Sequence, residues 1–370
     1  MKKMLITTFV LLLLISLVGC ADNYKIEEGG PGETQDTSGI TSQEPPAQPT
    51  VDSSGMGSDR IGSFRGELVG WPLDENGLPI SYEYNGGEIE LTLSIDADGL
   101  VDSVGVLMYL DGTPIPYRLT SNGEETAYFH MLRGISGRTD AAFGAAFTPA
   151  GFFMGDTATL TVAFVPCADY IYDPSDPNAV IDTDRNFLSR NCSSFSRSIR
   201  FNADALEQNG QSATAIPFAK NATRTVQTDI NAFVDEMNAI VYAHSQPKLT
   251  VADIGDNGML HYVEYYDGAW VDTEMICTTG KDTIHLKYKA AGPDGMEVKL
   301  GFSLGYQPTL IDGSSTYAFT LHKGECTIVE MDLDVSAITQ PTKLLCEWFA
   351  DDHLYDTTIL LLYPDSTQGA

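Results

Sequence analysis

Aromatic side chains are concentrated in residues 261–270, and aromatic rings of this kind are suited to binding a ligand. The stretch reads HYVEYYDGAW and includes Tyr262, Tyr266 and Trp270. Flat rings exposed on a sheet stack on sugar rings, so these three residues are a candidate carbohydrate-binding site. On a strand, Tyr262 and Tyr266 share one face and Tyr265 lies on the other, so at least one face is expected to be core. Core packing is the alternative role of the whole stretch.

A second group of side chains has the oxygen atoms that calcium prefers. Asp182, Asp184 and Asn186 stand at alternate positions and form a candidate weak calcium site. Phe187, however, occupies the position at which an EF-type calcium loop has glycine. A solvated acidic loop is the alternative interpretation of these residues.

The sequence lacks the motifs that are typical of catalytic sites. It contains neither a GxSxG nucleophile elbow nor an HExxH metal motif, and its six histidines are scattered singly. No glycine-rich phosphate loop lies between a strand and a helix. The sequence therefore predicts a protein that is not an enzyme and that uses no cofactor.

The charge balance restricts the partners of the protein. With 51 acidic and 21 basic residues, the chain has a formal net charge of −30. Such a surface repels nucleic acid phosphates and anionic lipid headgroups, so we expect no nucleic acid partner and no direct binding to the membrane surface.

Residues 1–20 have the order of a secretion signal. Two lysines precede an apolar run that is too short to span a bilayer comfortably, and the run ends in LVGC at residues 17–20. These residues resemble the lipobox, the cleavage and lipidation site of bacterial lipoproteins. The resemblance implies that the chain is cut before Cys20 and that the Cys20 sulfur carries a lipid anchor. An ordinary signal peptide with a chance cysteine is the alternative.

The resemblance also predicts where the protein resides. A lipid on Cys20 holds it on the extracellular face of the cytoplasmic membrane, most simply in a Gram-positive bacterium. Residues 21–61 are rich in Gly, Ser, Thr, Pro and Gln and are predicted to be a disordered tether. A flexible coil of about 40 residues spans roughly 35 Å, which separates the folded part from the membrane.

Short runs of alternating apolar residues begin near residue 62. Leu91, Leu93 and Ile95 alternate with polar residues, and Asn-Gly and Asp-Gly turns separate successive runs. This pattern is typical of antiparallel sandwiches. The predicted fold class is therefore mainly β, with two antiparallel Ig-like β-sandwich domains. The similarity to Ig-like folds is one of pattern, because the Cys…Trp…Cys signature of true immunoglobulin domains is absent.

The second half of the chain repeats the first. Three segments align in the same order, which predicts two copies of one domain rather than chance similarity between strands. The aligned segments are 91–95 with 284–288, 104–114 with 298–308, and Leu160, Val162 and Phe164 with Leu344, Cys346 and Trp348. The predicted domains are 62–202 and 250–366, joined by a partly helical connector, 203–249.

The connector contains one helical pattern. Thr228 or Asp229 is expected to cap a helix that runs to about Ala243. Its apolar stripe predicts a packing face, and a partner-binding helix is the alternative. The stripe consists of Ile230, Phe233, Val234, Met237, Ile240 and Val241.

Residues 166–200 are predicted to be an insertion that the first copy alone contains. Cys167 and Cys192 flank most of it and form the candidate disulfide, since an extracellular address permits one. Closing such a loop would stabilise the fold by about 3 kcal/mol. The acidic side chains of the insertion are expected to face outward as a contact surface or weak cation site, and a tolerated loop without a partner is the alternative.

Together these patterns predict a membrane-anchored, extracellular, non-catalytic protein. Its expected role is a surface binding or structural module whose partner is a surface protein or a cell-wall polymer. The alternative is a carbohydrate-binding surface protein that uses the aromatic stretch 261–270.

Overall fold

The computed structural model describes residues 64–120, 125–135, 138–176, 178–205, 216–227, 229–240, 248–254, 259–268, 270–271 and 274–364. The predicted signal peptide, the lipidation site Cys20 and the predicted tether lie outside these residues. No helix within the described ranges has the length and apolarity that crossing a membrane requires.

The first sandwich is built from strands whose apolar residues alternate with polar ones. One sheet has the strand order β1-β3-β8-β6, and the other has the order β2-β10-β9-β4-β5 with β7 also paired to β4. The inward residues of both sheets form one hydrophobic core. The strands are β1 (Phe64–Val69), β2 (Tyr82–Tyr84), β3 (Ile89–Ala97), β4 (Ser103–Leu110), β5 (Thr113–Pro114), β6 (Arg118–Leu119), β7 (Phe129–Arg133), β8 (Arg138–Phe147), β9 (Thr157–Pro166) and β10 (Ser193–Phe201).

The second sandwich has the same plan. One sheet has the order β13-β12-β15-β19-β11 and the other runs β14-β21-β20-β16, with β17 and β18 both paired to β16. Strand β17 also pairs with β11 and so joins the two sheets along one edge. The strands are β11 (Ile216–Gln227), β12 (Leu260–Tyr266), β13 (Trp270–Val271), β14 (Met275–Cys277), β15 (Thr283–Ala291), β16 (Glu297–Leu304), β17 (Gln307–Ile311), β18 (Thr316–Thr320), β19 (Cys326–Asp334), β20 (Thr342–Ala350) and β21 (His353–Tyr363). The predicted fold class is confirmed.

The strand registers of the two sandwiches correspond. Leu110 pairs with Leu160 in the first copy, and their aligned residues Leu304 and Leu344 pair in the second. The edge strands agree too, because β2 lies parallel to β10 and β14 lies parallel to β21. The sequence alignment therefore reproduces the strand pairing residue by residue.

The segment 203–249, predicted as a connector, contributes a strand to the second sandwich. Strand β11 pairs antiparallel with β19, and Phe218 and Ala219 are buried in the second core. The polar run from Lys220 to Thr225 interrupts the alternation, which is why the sequence pattern did not predict a strand here.

The two sandwiches pack face to face. The outer faces of the β4–β9 and β16–β20 sheets form a buried apolar interface, so the described strands form a stack of four sheets. This arrangement explains why every residue of β4 is buried, since both faces of the strand are covered. The interface cluster consists of Leu107, Tyr109, Ala163, Val165 and Ala168 from the first half and Tyr306, Leu345, Phe349 and Ile359 from the second.

Polar contacts add specificity to this interface. The Tyr109 hydroxyl donates to Glu347 Oε1 at 2.6 Å, and Ser303 donates to the same oxygen at 2.8 Å. The ring of Tyr306 stacks on Phe129 with centroids 4.3 Å apart. Burial raises the pKa of Glu347 to about 7 despite these two hydrogen bonds.

The insertion of the first copy lies between β9 and β10 and occupies residues 167–192, where the second copy has only 351–352 between β20 and β21. It contains the short helix α1 (Thr183–Leu188). The buried Lys343 donates to the carbonyl of Ser189 at 3.1 Å, and Arg190 pairs with Glu274. The insertion therefore contacts the second sandwich beside the interface, which the sequence pattern did not predict.

Cys167 and Cys192, the candidate disulfide, are both free thiols. The reason is their placement on opposite faces of the β4–β9 sheet. Cys167 lies in the core of the first sandwich, where burial raises its pKa to about 11. Cys192 packs against the interface cluster instead.

The candidate calcium residues belong to helix α1. Asp182 is the N-cap, and its side chain accepts a hydrogen bond from the Arg185 amide at 3.0 Å. Residues two apart on a helix point in nearly opposite directions, so Asp184 points away from the side on which Asp182 and Asn186 lie. In the described ranges, no three His, Cys, Asp or Glu side chains are grouped so that they could hold a metal.

The predicted helix is present as α2 (Ile230–Ile240). The Asp229 carboxylate accepts hydrogen bonds from the amides of Asn231 at 3.1 Å and Ala232 at 3.4 Å, which caps the helix. Ile230, Phe233, Val234 and Met237 of the apolar stripe pack on the outer face of the β12–β15–β19 sheet, as predicted. Val241 and Ala243 lie outside the described residues.

Candidate functional site

The outer face of the sheet formed by β12, β15, β19 and β11 is divided into two halves. Along β15, Ile284, Leu286 and Tyr288 point into the core, so His285, Lys287 and Lys289 point outward. Helix α2 covers the half that lies around Lys289. The half that lies around His285 is open.

An ion triad joins helix α2 to the half of the sheet face that the helix covers. The Lys289 amine lies 2.5 Å from Glu236 Oε1 on helix α2 and 3.1 Å from Glu264 Oε2 on β12. Burial opposes the charge of Lys289, but the two carboxylates outweigh it and raise the pKa of the amine. The triad thus fixes the helix to the sheet.

The open half contains a cavity of about 410 Å³, which we call the polar cleft. Its floor follows the cross-strand pairs His285–Asp332 and Lys287–Glu330. The polar cleft is lined by Asn221, Thr223, Tyr266, His285, Leu286, Glu330, Met331 and Asp332.

A β-bulge shapes one wall of the polar cleft. The register of β11 on β19 shifts between Lys220 and Thr223, and Asn221 has a left-handed φ of 54°. The Asp312 carboxylate accepts from the backbone amides of Asn221 and Ala222, both at 3.1 Å. The bulge brings the Asn221 side-chain amide to 3.0 Å from Asp332 Oδ2.

Asp332 organises the polar groups of the floor. Its other oxygen, Oδ1, bonds Nδ1 of His285, so one carboxylate holds both an amide and an imidazole. The Asn221 amide and His285 lower the pKa of Asp332, and partial burial opposes them. An ionised Asp332 favours the proton on Nδ1 of His285 and leaves Nε2 as the nitrogen available to a ligand.

Tyr266 and Glu330 complete the lining. The Tyr266 side chain is 42% exposed, and its ring stands edge-on to His285 with centroids 6.4 Å apart. The Glu330 side chain is 49% exposed and lies 3.3 Å from the amine of Lys287. The polar cleft therefore combines an aromatic ring with planar carboxylate, amide and imidazole groups, which can both donate and accept hydrogen bonds.

The structure separates the predicted aromatic residues. Tyr262 and Tyr266 do share one face, but Tyr262 lies under helix α2 and is 8% exposed, so it does not reach a ligand. Tyr265 belongs to the core. Tyr266 lies in the polar cleft, whereas the side chain of Trp270 is outside the part of the chain that the structure describes.

His285, Asp332 and Asn221 were not predicted as site residues. They come from three strands that are distant in sequence, and the pairing of β15 with β19 and β11 brings them together. The usable sequence signal was the outward position of His285 and Asp332 in strands whose alternate residues are apolar.

Comparisons with known proteins identify no relative by sequence, because no protein-family model and no curated protein matches the chain. Among solved structures, the fibronectin(III)-like modules of Clostridium thermocellum CbhA have a TM-score of 0.18 and 10% identity, over 81% of this chain and 95% of that chain. The C-terminal domain of the Streptococcus agalactiae AgI/II polypeptide BspA has a TM-score of 0.17 and 8% identity, over 81% and 100%. TM-scores this low support no statement about function.

Proposed function

We propose that the protein is a lipid-anchored, non-catalytic binding protein on the extracellular face of the cytoplasmic membrane. Its polar cleft holds a cell-wall polymer or a surface protein, and it needs no cofactor for this task. The observation that carries the proposal is the polar cleft itself, an open cavity with an exposed aromatic ring and hydrogen-bonded polar side chains. Fixed groups of this kind bind a ligand without first having to be ordered.

The order of the sheets supports this role. Strand β1 is the first described strand, and it belongs to the outer sheet of the first sandwich. The polar cleft lies on the outer sheet of the second sandwich. Packed sheets are about 10 Å apart, so a stack of four places these surfaces roughly 30 Å from one another. The polar cleft therefore lies on the sheet of the stack that is farthest from β1.

A saccharide is the ligand class that a specific observation favours. Tyr266 presents its ring beside His285, Asn221 and Asp332, which offer planar polar groups to sugar hydroxyls. This arrangement supports the carbohydrate-binding alternative, with Tyr266 as the stacking residue.

Binding in the polar cleft is tested by Tyr266→Ala. We expect binding to a glycan array or to purified wall polysaccharide to fall at least tenfold, because the variant removes the exposed ring. Tyr355→Ala is the matched control, since Tyr355 is 46% exposed on another strand and does not line the polar cleft. Equal binding by Tyr266→Ala and the unaltered protein would place the ligand elsewhere.

The anchor is tested by Cys20→Ala. The variant lacks the sulfur that carries the lipid, so we expect it to be released into the medium or retained as an uncleaved precursor. Fractionation of membranes and medium, with mass spectrometry of the N-terminus, distinguishes these products. An unchanged membrane-bound form would disprove the lipobox interpretation.

A further inference from the structure

We infer that the polar cleft selects a saccharide that carries a free primary amine, such as a glucosamine unit without its acetyl group. This inference rests on the proposed function and names the ligand chemistry of the same site. It follows from the charges that line the polar cleft, from the distance between its binding groups and from the negative net charge of the chain.

The lining residues favour a cation. They include the carboxylates of Glu330 and Asp332, and none of the described residues that line the polar cleft is lysine or arginine. The Asn221 and His285 contacts lower the pKa of Asp332, which keeps this charge in place at neutral pH. The formal charge of −30 adds a long-range field that repels anionic polymers and attracts amines.

Glu330 is the residue that faces an incoming amine. One of its oxygens lies 3.3 Å from Lys287, whose side chain is only 14% exposed and so sits below the carboxylate. An ionised carboxylate has about four acceptor positions, so the contact with Lys287 leaves Glu330 able to accept from a ligand ammonium. Both Asp332 oxygens already bond side chains, and this residue acts by holding Asn221 and His285 in position.

Tyr266 supplies the second half of the recognition. An aromatic face binds the apolar face of a sugar ring, and it also attracts an ammonium group. Tyr266 is on β12 and Glu330 is on β19, with β15 between them. Two strand spacings are about 10 Å, so a ligand that engages both residues is longer than a metal ion or a small amine. An oligosaccharide meets this requirement.

The test is calorimetric titration of the full chain, solubilised in detergent at physiological salt, with four tetramers of equal length. These are glucosamine, N-acetylglucosamine, galacturonic acid and lysine. We expect the glucosamine tetramer to bind at least tenfold more tightly than the acetylated one, and the galacturonic acid tetramer not to bind. The lysine tetramer is expected to bind weakly because it has no ring to stack on Tyr266.

Three variants assign the effect to the polar cleft. Glu330→Gln keeps the shape of the side chain and removes its charge, so affinity for the glucosamine tetramer should fall about tenfold while the affinity for the acetylated tetramer changes little. Tyr266→Ala should weaken both. Glu90→Gln, an equal loss of charge on the outer face of the first sandwich, should change neither. Thermal melting of each variant verifies folding.

Each contrary outcome is informative. Equal binding of the two glucosamine forms, or no effect of Glu330→Gln, disproves the selection of an amine but preserves the proposed function. Tight binding of the lysine tetramer, lost in Glu330→Gln, shows that the ligand is a basic protein segment and not a saccharide. If neither the tetramers nor wall polysaccharides bind, both the selection of an amine and the saccharide ligand are disproved, and a surface protein is the ligand of the proposed function that remains.

Discussion

The two sandwiches share one framework but differ in the chemistry of their equivalent surfaces. The β1–β3–β8 registers of the first copy match the β12–β15–β19 registers of the second, so each residue of the polar cleft on these strands has a counterpart. The counterparts of Tyr266, His285, Lys287, Glu330 and Asp332 are Val69, Thr92, Ser94, Ala142 and Gly144. The first copy therefore keeps the inward residues that fold the sandwich and lacks the outward residues that form the polar cleft.

The two copies also differ in the segments that each has in addition to the shared strands. The first copy has the insertion 167–192, whose contacts with Lys343 and Glu274 secure the second sandwich. The second copy has β11, which lines the polar cleft, and helix α2, which packs on the same face of the sheet. The two copies thus have similar cores, and they differ in their added segments and in the candidate site, which the second copy carries.

The largest effect is expected from the two equivalent core residues, Phe164 and Trp348, both fully buried. Phe164→Ala and Trp348→Ala should each lower the free energy of unfolding by about 3–5 kcal/mol, because each leaves a cavity. Since the interface cluster joins the two cores, calorimetry should show one transition that both variants shift. Two transitions, each sensitive to one variant, would show that the copies unfold independently.

A smaller, pH-dependent effect is expected at the interface. Burial raises the pKa of Glu347 from 4.5 to about 7, so the folded protein binds this proton more tightly than the unfolded chain does. The contribution of Glu347 to the free energy of unfolding should therefore be greatest below pH 4.5. It should fall by about 3 kcal/mol as the pH rises from 4.5 to 7. Burial lowers the pKa of Lys343 to about 8, so this amine affects stability at a higher pH than Glu347 does.

Glu347→Gln should remove this slope, because it keeps hydrogen-bonding groups for Tyr109 and Ser303 but cannot ionise. Unfolding by urea at pH 4.5, 5.5, 6.5 and 7.5 measures the difference between the variant and the unaltered protein. An identical slope in both proteins would show that Glu347 ionises without cost at the interface.

The smallest effect is expected at the two helix caps, each of which belongs to one copy's addition. Asp229→Ala removes the cap of α2 and Asp182→Ala removes that of α1, so each should cost about 1 kcal/mol. Asp229→Ala should also increase hydrogen exchange in α2, whereas Asp182→Ala should do so in the insertion. Exchange that rises in both regions for one variant would mean that the additions are coupled.

Local patterns predicted the sandwiches and the repeat because inward residues are set by alternation alone. Leu91, Leu93 and Ile95 are buried as expected, and helix α2 buries the described residues of its predicted stripe, from Ile230 to Met237. The interface had a weaker signal, the continuous apolar run of β4, which fits equally well a strand buried within one core. The sequence of β4 indicated that both of its faces are buried, but it did not indicate that the second sandwich covers one of them.

The candidate site was less predictable because its residues meet through long-range pairing. Tyr266 was identified by its aromatic neighbourhood, yet the same neighbourhood included Tyr262, which helix α2 covers. The bulge that places Asn221 depends on Asp312, about 90 residues further along the chain. Polar residues such as these have no periodicity that distinguishes a binding group from a solvated one.

The four-sheet stack has a mechanical consequence. Tension applied between β1 and the polar cleft passes through every layer of the stack, because the two lie on its opposite outer sheets. The interface cluster resists such a load by apolar contact over its area, and the contacts of the insertion with Lys343 and Glu274 act as a brace at its margin. A load across the stack is therefore carried by apolar contact in the interface cluster and by the polar contacts at its edge.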